Sequence, residues 1–352
     1  MKPRTLATAL VLSLGLVGLV EAAEVSNPAA GHAQNPVWSP DGEQVAFEVN
    51  NMANTVALYL LDVNGGQPGA ARQVTVPGAN ASFGSGGAYA GSATWAMVPQ
   101  KMLLFEASNA GGTMRLFYTS PSGGAANELL SAAQIGGDLT APAMSPDGKE
   151  LAFVSSATGK GDVYIWDVAS NGVAKAFDSA KSENFPAWSS TGSLALGIGN
   201  RGSEDLFSWE KGGVPQPLAA GNGDQTRPVW AGNQVVYFTS ERGDGQWSIA
   251  VASGGNRKVV AKDVRLPSRS APAITPDGQW VAWTSANPEQ GSKVNFTRLD
   301  GSSTTSVNTS HVACGEPALT TANGRVLLAY TALPSEGSDW RSLHIVDVTG
   351  DL

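Results

Sequence analysis

A short triplet recurs seven times along the chain, most legibly as Pro36-Val37-Trp38 running into the turn Ser39-Pro40-Asp41-Gly42. The other copies begin at Ala93-Thr94-Trp95, Pro142-Ala143-Met144, Pro186-Ala187-Trp188, Pro228-Val229-Trp230, Pro272-Ala273-Ile274 and Pro317-Ala318-Leu319. Measured at the third residue, the steps are 57, 49, 44, 42, 44 and 45 residues. A fixed period in the forties with β-rich content is the signature of propeller blades, units that bury their faces only against one another.

Each unit repeats one plan. The triplet ends in a turn, cleanest in Ser39-Pro40-Asp41-Gly42, Ser145-Pro146-Asp147-Gly148 and Thr275-Pro276-Asp277-Gly278. Pro pre-sets φ, Asp bonds its own backbone, and Gly accepts positive φ. A nearly continuous apolar strand follows, such as Val45-Ala46-Phe47-Glu48-Val49 or Leu151-Ala152-Phe153-Val154, which suits a strand covered on both faces. A polar loop, a third strand, a Gly turn and a short polar fourth strand complete the unit. Unit seven offers three strands before Leu352, and residues 24–35 stand where its fourth would be. Closing the ring with that piece would pair an otherwise bare edge. The expected fold is therefore all-β: one seven-bladed β-propeller of four-stranded antiparallel blades, closed by an N-terminal strand. Six blades is the alternative, because the turn of unit two has degenerated to Val98-Pro99-Gln100.

The aromatic-Ser-Pro-Asp-Gly turn, the apolar strand, the Tyr-x-x-Asp third strand and the Gly-Gly turn together resemble the propeller repeat of the TolB family. The resemblance covers nearly all of residues 23–352 and implies a non-enzymatic propeller of the cell envelope. It departs from TolB in two respects. TolB-like proteins carry an α/β domain before the propeller, for which no room is expected here, and they have six blades. The same repeat also forms the non-catalytic propeller of prolyl-oligopeptidase relatives, so it is specific for fold rather than for function.

Lys2 and Arg4 precede an apolar run, and Val20-Glu21-Ala22 fits a small-residue cleavage site. Residues 1–22 are read as a secretory signal, too short in their apolar part for the ~20 residues of a membrane span. A periplasmic or secreted protein with no membrane insertion is expected. With 22 Lys+Arg against 30 Asp+Glu, the net charge of −8 argues against a nucleic-acid binder, which would need clustered basic residues. The single Cys314 excludes an internal disulfide.

No Gly-x-Ser-x-Gly elbow, zinc-type Cys pair or phosphate loop occurs. The preferred reading is a monomeric scaffold that takes a protein or peptide partner of the envelope at its channel mouth, with no catalytic residues and no cofactor. The long segment 77–92 carries Phe83 and Tyr89 as candidate anchors, and Arg201, Arg227, Arg242 and Arg269 fall in loops that open on the same rim. The alternative reading is a carbohydrate-active enzyme holding one divalent metal ion. His32 and His311 fall ahead of the first strands of units one and seven, which a closed ring makes neighbours, and Glu316 would join them. Seven-bladed oligogalacturonate lyases, similar in repeat type, use a His-rich metal site.

Overall fold

The computed structural model describes residues 22–25, 29–52, 55–77, 89–109, 111–240 and 245–352. Seven four-stranded antiparallel blades form a ring. Their innermost strands are His32–Trp38, Ala90–Ala96, Leu139–Met144, Glu183–Trp188, Gln225–Ala231, Ala273–Ile274 and Val312–Ala322, in blades one to seven. Unit two, despite its worn turn, is a complete blade, with Met102–Ser108, Met114–Thr119 and Asn127–Glu128 outside its inner strand. The ring has seven blades, not six.

The Pro-Asp-Gly turns form as their residues dictate. The Ser39 hydroxyl donates to Asp41 Oδ1 at 2.5 Å and accepts from the Gln44 amide at 3.0 Å, while Asp41 Oδ1 also accepts from the Glu43 amide. Ser145 with Asp147, and Thr275 with Asp277, repeat the arrangement. Each aspartate bonds within its own turn, and Asp41 also pairs with Lys101 of blade two at 2.7 Å.

Within blades the packing is just as regular. Phe47 faces Tyr59, Phe105 faces Phe117 and Phe153 faces Tyr164, each pair in register across the second and third strands and stacked at 5.7–6.0 Å. The three Phe rings are fully buried, worth ~1.5–3 kcal/mol each. The tryptophan of the repeating triplet then ties blade to blade. Trp38, Trp95, Trp188 and Trp230 each donate an indole N–H to a carbonyl of the preceding blade's triplet, that of Ala318, Val37, Ala143 and Ala187 respectively, at 3.0–3.3 Å.

The ring is closed by Ala23–Val25, which pairs antiparallel with Ser342–Asp347 and completes blade seven. Closure is shorter than residues 24–35 suggested. His32–Asn35 already belong to the inner strand of blade one, because the inner strands of all blades but the sixth begin several residues ahead of the triplet and pair across a bulge.

Candidate functional site

Six inner strands carry a residue in the left-handed region at the bulge: Asn35, Ser92, Ala141, Phe185, Arg227 and Glu316, with φ between 47° and 53°. The conformation is costly for a residue with a side chain, and it persists only where its surroundings fix it. Three of these turned-out amides find carboxylates on an adjacent blade. Glu48 of blade one accepts from the Ser92 amide of blade two at 3.0 Å. Glu106 of blade two accepts from the Ala141 amide of blade three at 2.7 Å. Glu316 of blade seven accepts from the Asn35 amide of blade one at 2.7 Å. Each carboxylate is at least nine-tenths buried.

Glu48 is fully satisfied, taking further bonds from Gln34 and Asn35 side chains at 2.7 and 2.9 Å. Burial nonetheless pushes the Glu48 and Glu106 carboxyls above the usual range, against the pull of these donors and of Arg269. Blade four achieves a similar placement differently: Gly197 leaves room for the carboxyl of Glu204, where a Cβ would stand 2.4 Å from Glu204 Cδ.

These bulges line a cavity of about 730 Å³ at the ring centre, to which every blade contributes. Its mouth is crossed by the chain that leads into blade six. Because residues 265–272 detour there, the inner strand of that blade shrinks to Ala273–Ile274. Arg227 donates to the carbonyls of Pro267 at 2.7 Å and Ser268 at 3.0 Å. Glu316 Oε1 accepts from the Ser268 amide at 3.0 Å and from its hydroxyl at 2.5 Å. Asn35 Oδ1 accepts from the Arg269 amide at 3.1 Å. The Arg269 guanidinium then reaches blade two, where it pairs with Glu106, bonds Ser92 Oγ at 3.3 Å and lies 4.6 Å over the Tyr89 ring. Burial and the nearby charge of Arg269 push Arg227 down to about 10.

The expected site residues therefore divide. Arg227, Arg269 and Tyr89 converge at the mouth, but on one another's surroundings rather than as free anchors: the face of Tyr89 is already covered by Arg269. Arg227 sits within an inner strand, not in a loop. Arg201 is exposed in the turn between the second and third strands of blade four. Phe83, Arg242, most of the segment 77–92 and residues 1–21 lie outside the described residues.

The proposed metal ligands have separate partners. His32 accepts the Arg341 amide at its Nδ1 and packs edge-on to Trp340. His311 bonds the Tyr330 hydroxyl at 2.8 Å and stacks, 3.8 Å away, on His344. Glu316 is engaged by Asn35 and Ser268. Among the described residues no three His, Cys, Asp or Glu form a metal-sized group, so His32, His311 and Glu316 do not fit a shared ion. Cys314 is buried against Thr309.

Sequence reasoning missed Glu48 and Glu106, and offered Glu316 only as a metal ligand, not as an acceptor for the Asn35 and Ser268 amides. The available signal was a glutamate inside a strand otherwise apolar on both faces, as in Gln44–Asn50 and Met102–Ser108.

Comparison with known proteins bears on the architecture. The family described as TolB beta propeller domain matches residues 132–352. A protein TolB homolog of Chlorobium luteolum is 25% identical over 142 residues, 40% of this chain, which spans about a third (32%) of that relative's length. The structure of a Mycobacterium tuberculosis puromycin-hydrolyzing peptidase aligns with a TM-score of 0.64 at 14% identity, over 94% of this chain and 54% of that one. An oligogalacturonate lyase in complex with manganese aligns with a TM-score of 0.61 at 13% identity, over 94% and 96%. At such identities the two structural likenesses speak for the fold alone.

Proposed function

The chain belongs to the TolB beta propeller domain family, and from that premise we propose that it is a non-enzymatic scaffold that docks a protein or peptide partner of the bacterial envelope at its channel mouth. The observation that carries this reading is the contrast between the two rims. One holds the repetitive Pro-Asp-Gly turns. The other gathers Glu106, Tyr89, Arg227, Arg269 and Glu316 from five different stretches of chain around an open cavity of about 730 Å³. Specific recognition needs chemistry that does not repeat from blade to blade, and aromatic and Arg side chains are enriched where binding energy concentrates.

We further propose that residues 1–22 direct export to the periplasm or beyond. Cleavage after Ala22 would leave Ala23, the first residue of the closing strand Ala23–Val25, as the new terminus. No helix among the described residues is long and apolar enough to cross a membrane. N-terminal sequencing of the exported protein checks this; an intact Met1 contradicts it.

Capture from envelope extract tests the docking reading, with Ser270→Trp to obstruct the mouth and Val214→Trp, at an exposed position between the third and fourth strands of blade four, as a control. Loss of a specific partner with the first substitution alone supports it. Equal capture by both overturns it.

A further inference from the structure

The chain crossing the mouth is held as a bound peptide is held. Its carbonyls meet Arg227, its amides meet Glu316 and Asn35, and the side chain of Arg269 enters a site built by another blade. The main-chain contacts are indifferent to sequence. The side-chain site is not. It offers a carboxylate, Glu106, that is only 1% exposed, a hydroxyl, Ser92 Oγ, and the face of Tyr89. A planar cation that can stack and hydrogen-bond at once suits this set better than a compact ammonium.

Resting on the docking reading above, we propose that the mouth is a receptor for an arginine side chain of an extended peptide, and that Arg269 is an intramolecular occupant which the incoming chain displaces. The internal contact is incomplete in a way that permits exchange. Among the described residues, both polar bonds of the guanidinium come from Nη1 alone, whereas a carboxylate accepts a fork of two N–H donors from a well-placed arginine. The Arg269 side chain is 47% exposed, so an edge of the pair faces solvent. A tethered occupant lowers apparent affinity for any competitor in proportion to the time it spends bound. Its removal should therefore expose a cation site that the parent conceals.

The test is titration of parent and Arg269→Ala with N-acetyl-arginine N-methylamide, and with its neutral citrulline counterpart, at low salt. The expected result is binding at least tenfold tighter to Arg269→Ala than to the parent, lost in Arg269→Ala/Glu106→Gln and absent for citrulline. Arg269→Gln, which keeps a polar side chain in place, gives the same readout if the alanine variant folds poorly. An arginine probe that binds both variants no better than the parent, or no better than citrulline, overturns the proposal. The docking reading fails separately. Capture of a partner that Ser270→Trp blocks, without any arginine preference, would retire only the arginine receptor. Arginine binding without a partner blocked at the mouth would retire only the scaffold.

Discussion

Arg269, on the chain leading into blade six, pairs across the channel mouth with Glu106 of blade two. Three inter-blade boundaries separate the two residues around the ring, so the contact spans the opening instead of running along its wall. It couples the most irregular blade to the blade whose turn is most worn.

The carboxylates that satisfy the left-handed amides should matter to stability. Replacing Glu316 by Ala strands the amides of Asn35 and Ser268 at once. The expected loss is about 2–4 kcal/mol, since each orphaned buried donor costs ~1–3 kcal/mol and water reaches the exposed Ser268. Urea denaturation measures it, and Glu316→Gln, which keeps one acceptor, should lose less.

Gly197 is expected to resist substitution although it sits in an ordinary strand. A methyl group there would press on the Glu204 carboxyl, so Gly197→Ala should destabilise by about 1–3 kcal/mol. Glu204→Ala in the same chain should restore part of the loss, and the unfolding midpoints of the three variants decide it.

The triplet tryptophans should act as ring ties. Trp188→Phe removes the bond to the Ala143 carbonyl while keeping most of the aromatic surface, at an expected cost of ~1 kcal/mol. The same change at Trp283, whose indole bonds Thr297 within its own blade, should leave the junction between blades untouched. Hydrogen exchange along the neighbouring inner strands separates the two.

Stability should fall in acid through His344. It is fully buried, and burial with the neighbouring His311 pushes it down to about 3, against the opposing pull of a backbone bond to Ala332. Between its ordinary value of 6.5 and that value, the unfolded chain takes a proton that the folded chain refuses. The contribution is thus fully favourable above 6.5 and is lost as pH falls, by ~1.4 kcal/mol per pH unit. Glu48 and Glu106, raised by burial, act in the opposite sense. The comparison is therefore with His344→Leu, in which those contributions cancel. From pH 6.5 to 4.5 the parent should lose about 2–3 kcal/mol more than the variant.

What could be read in the sequence was local. The Pro-Asp-Gly turns, the apolar second strands and the repeat length depend on neighbours a few residues away, and the structure holds them where expected. Their aspartates bond within the turn, as Asp41 and Ser39 do. The site depends on approaches around a closed ring. Arg269 and Glu106 are 163 residues apart, and Glu316 and Asn35 are 281 apart. Periodicity gave their rim but not their pairing. The histidines illustrate the same limit: ring closure does make units one and seven neighbours, yet His311 turns to His344 of its own blade instead of toward His32.

The crossing contact can be tested by a double-mutant cycle of Arg269→Ala and Glu106→Ala, read by equilibrium unfolding at pH 7. If the guanidinium and carboxylate are paired across the mouth, the two losses should fail to add, with a coupling of at least ~1 kcal/mol. Losses that add within ~0.3–0.5 kcal/mol would contradict the pairing, and with it an arginine held at the channel mouth.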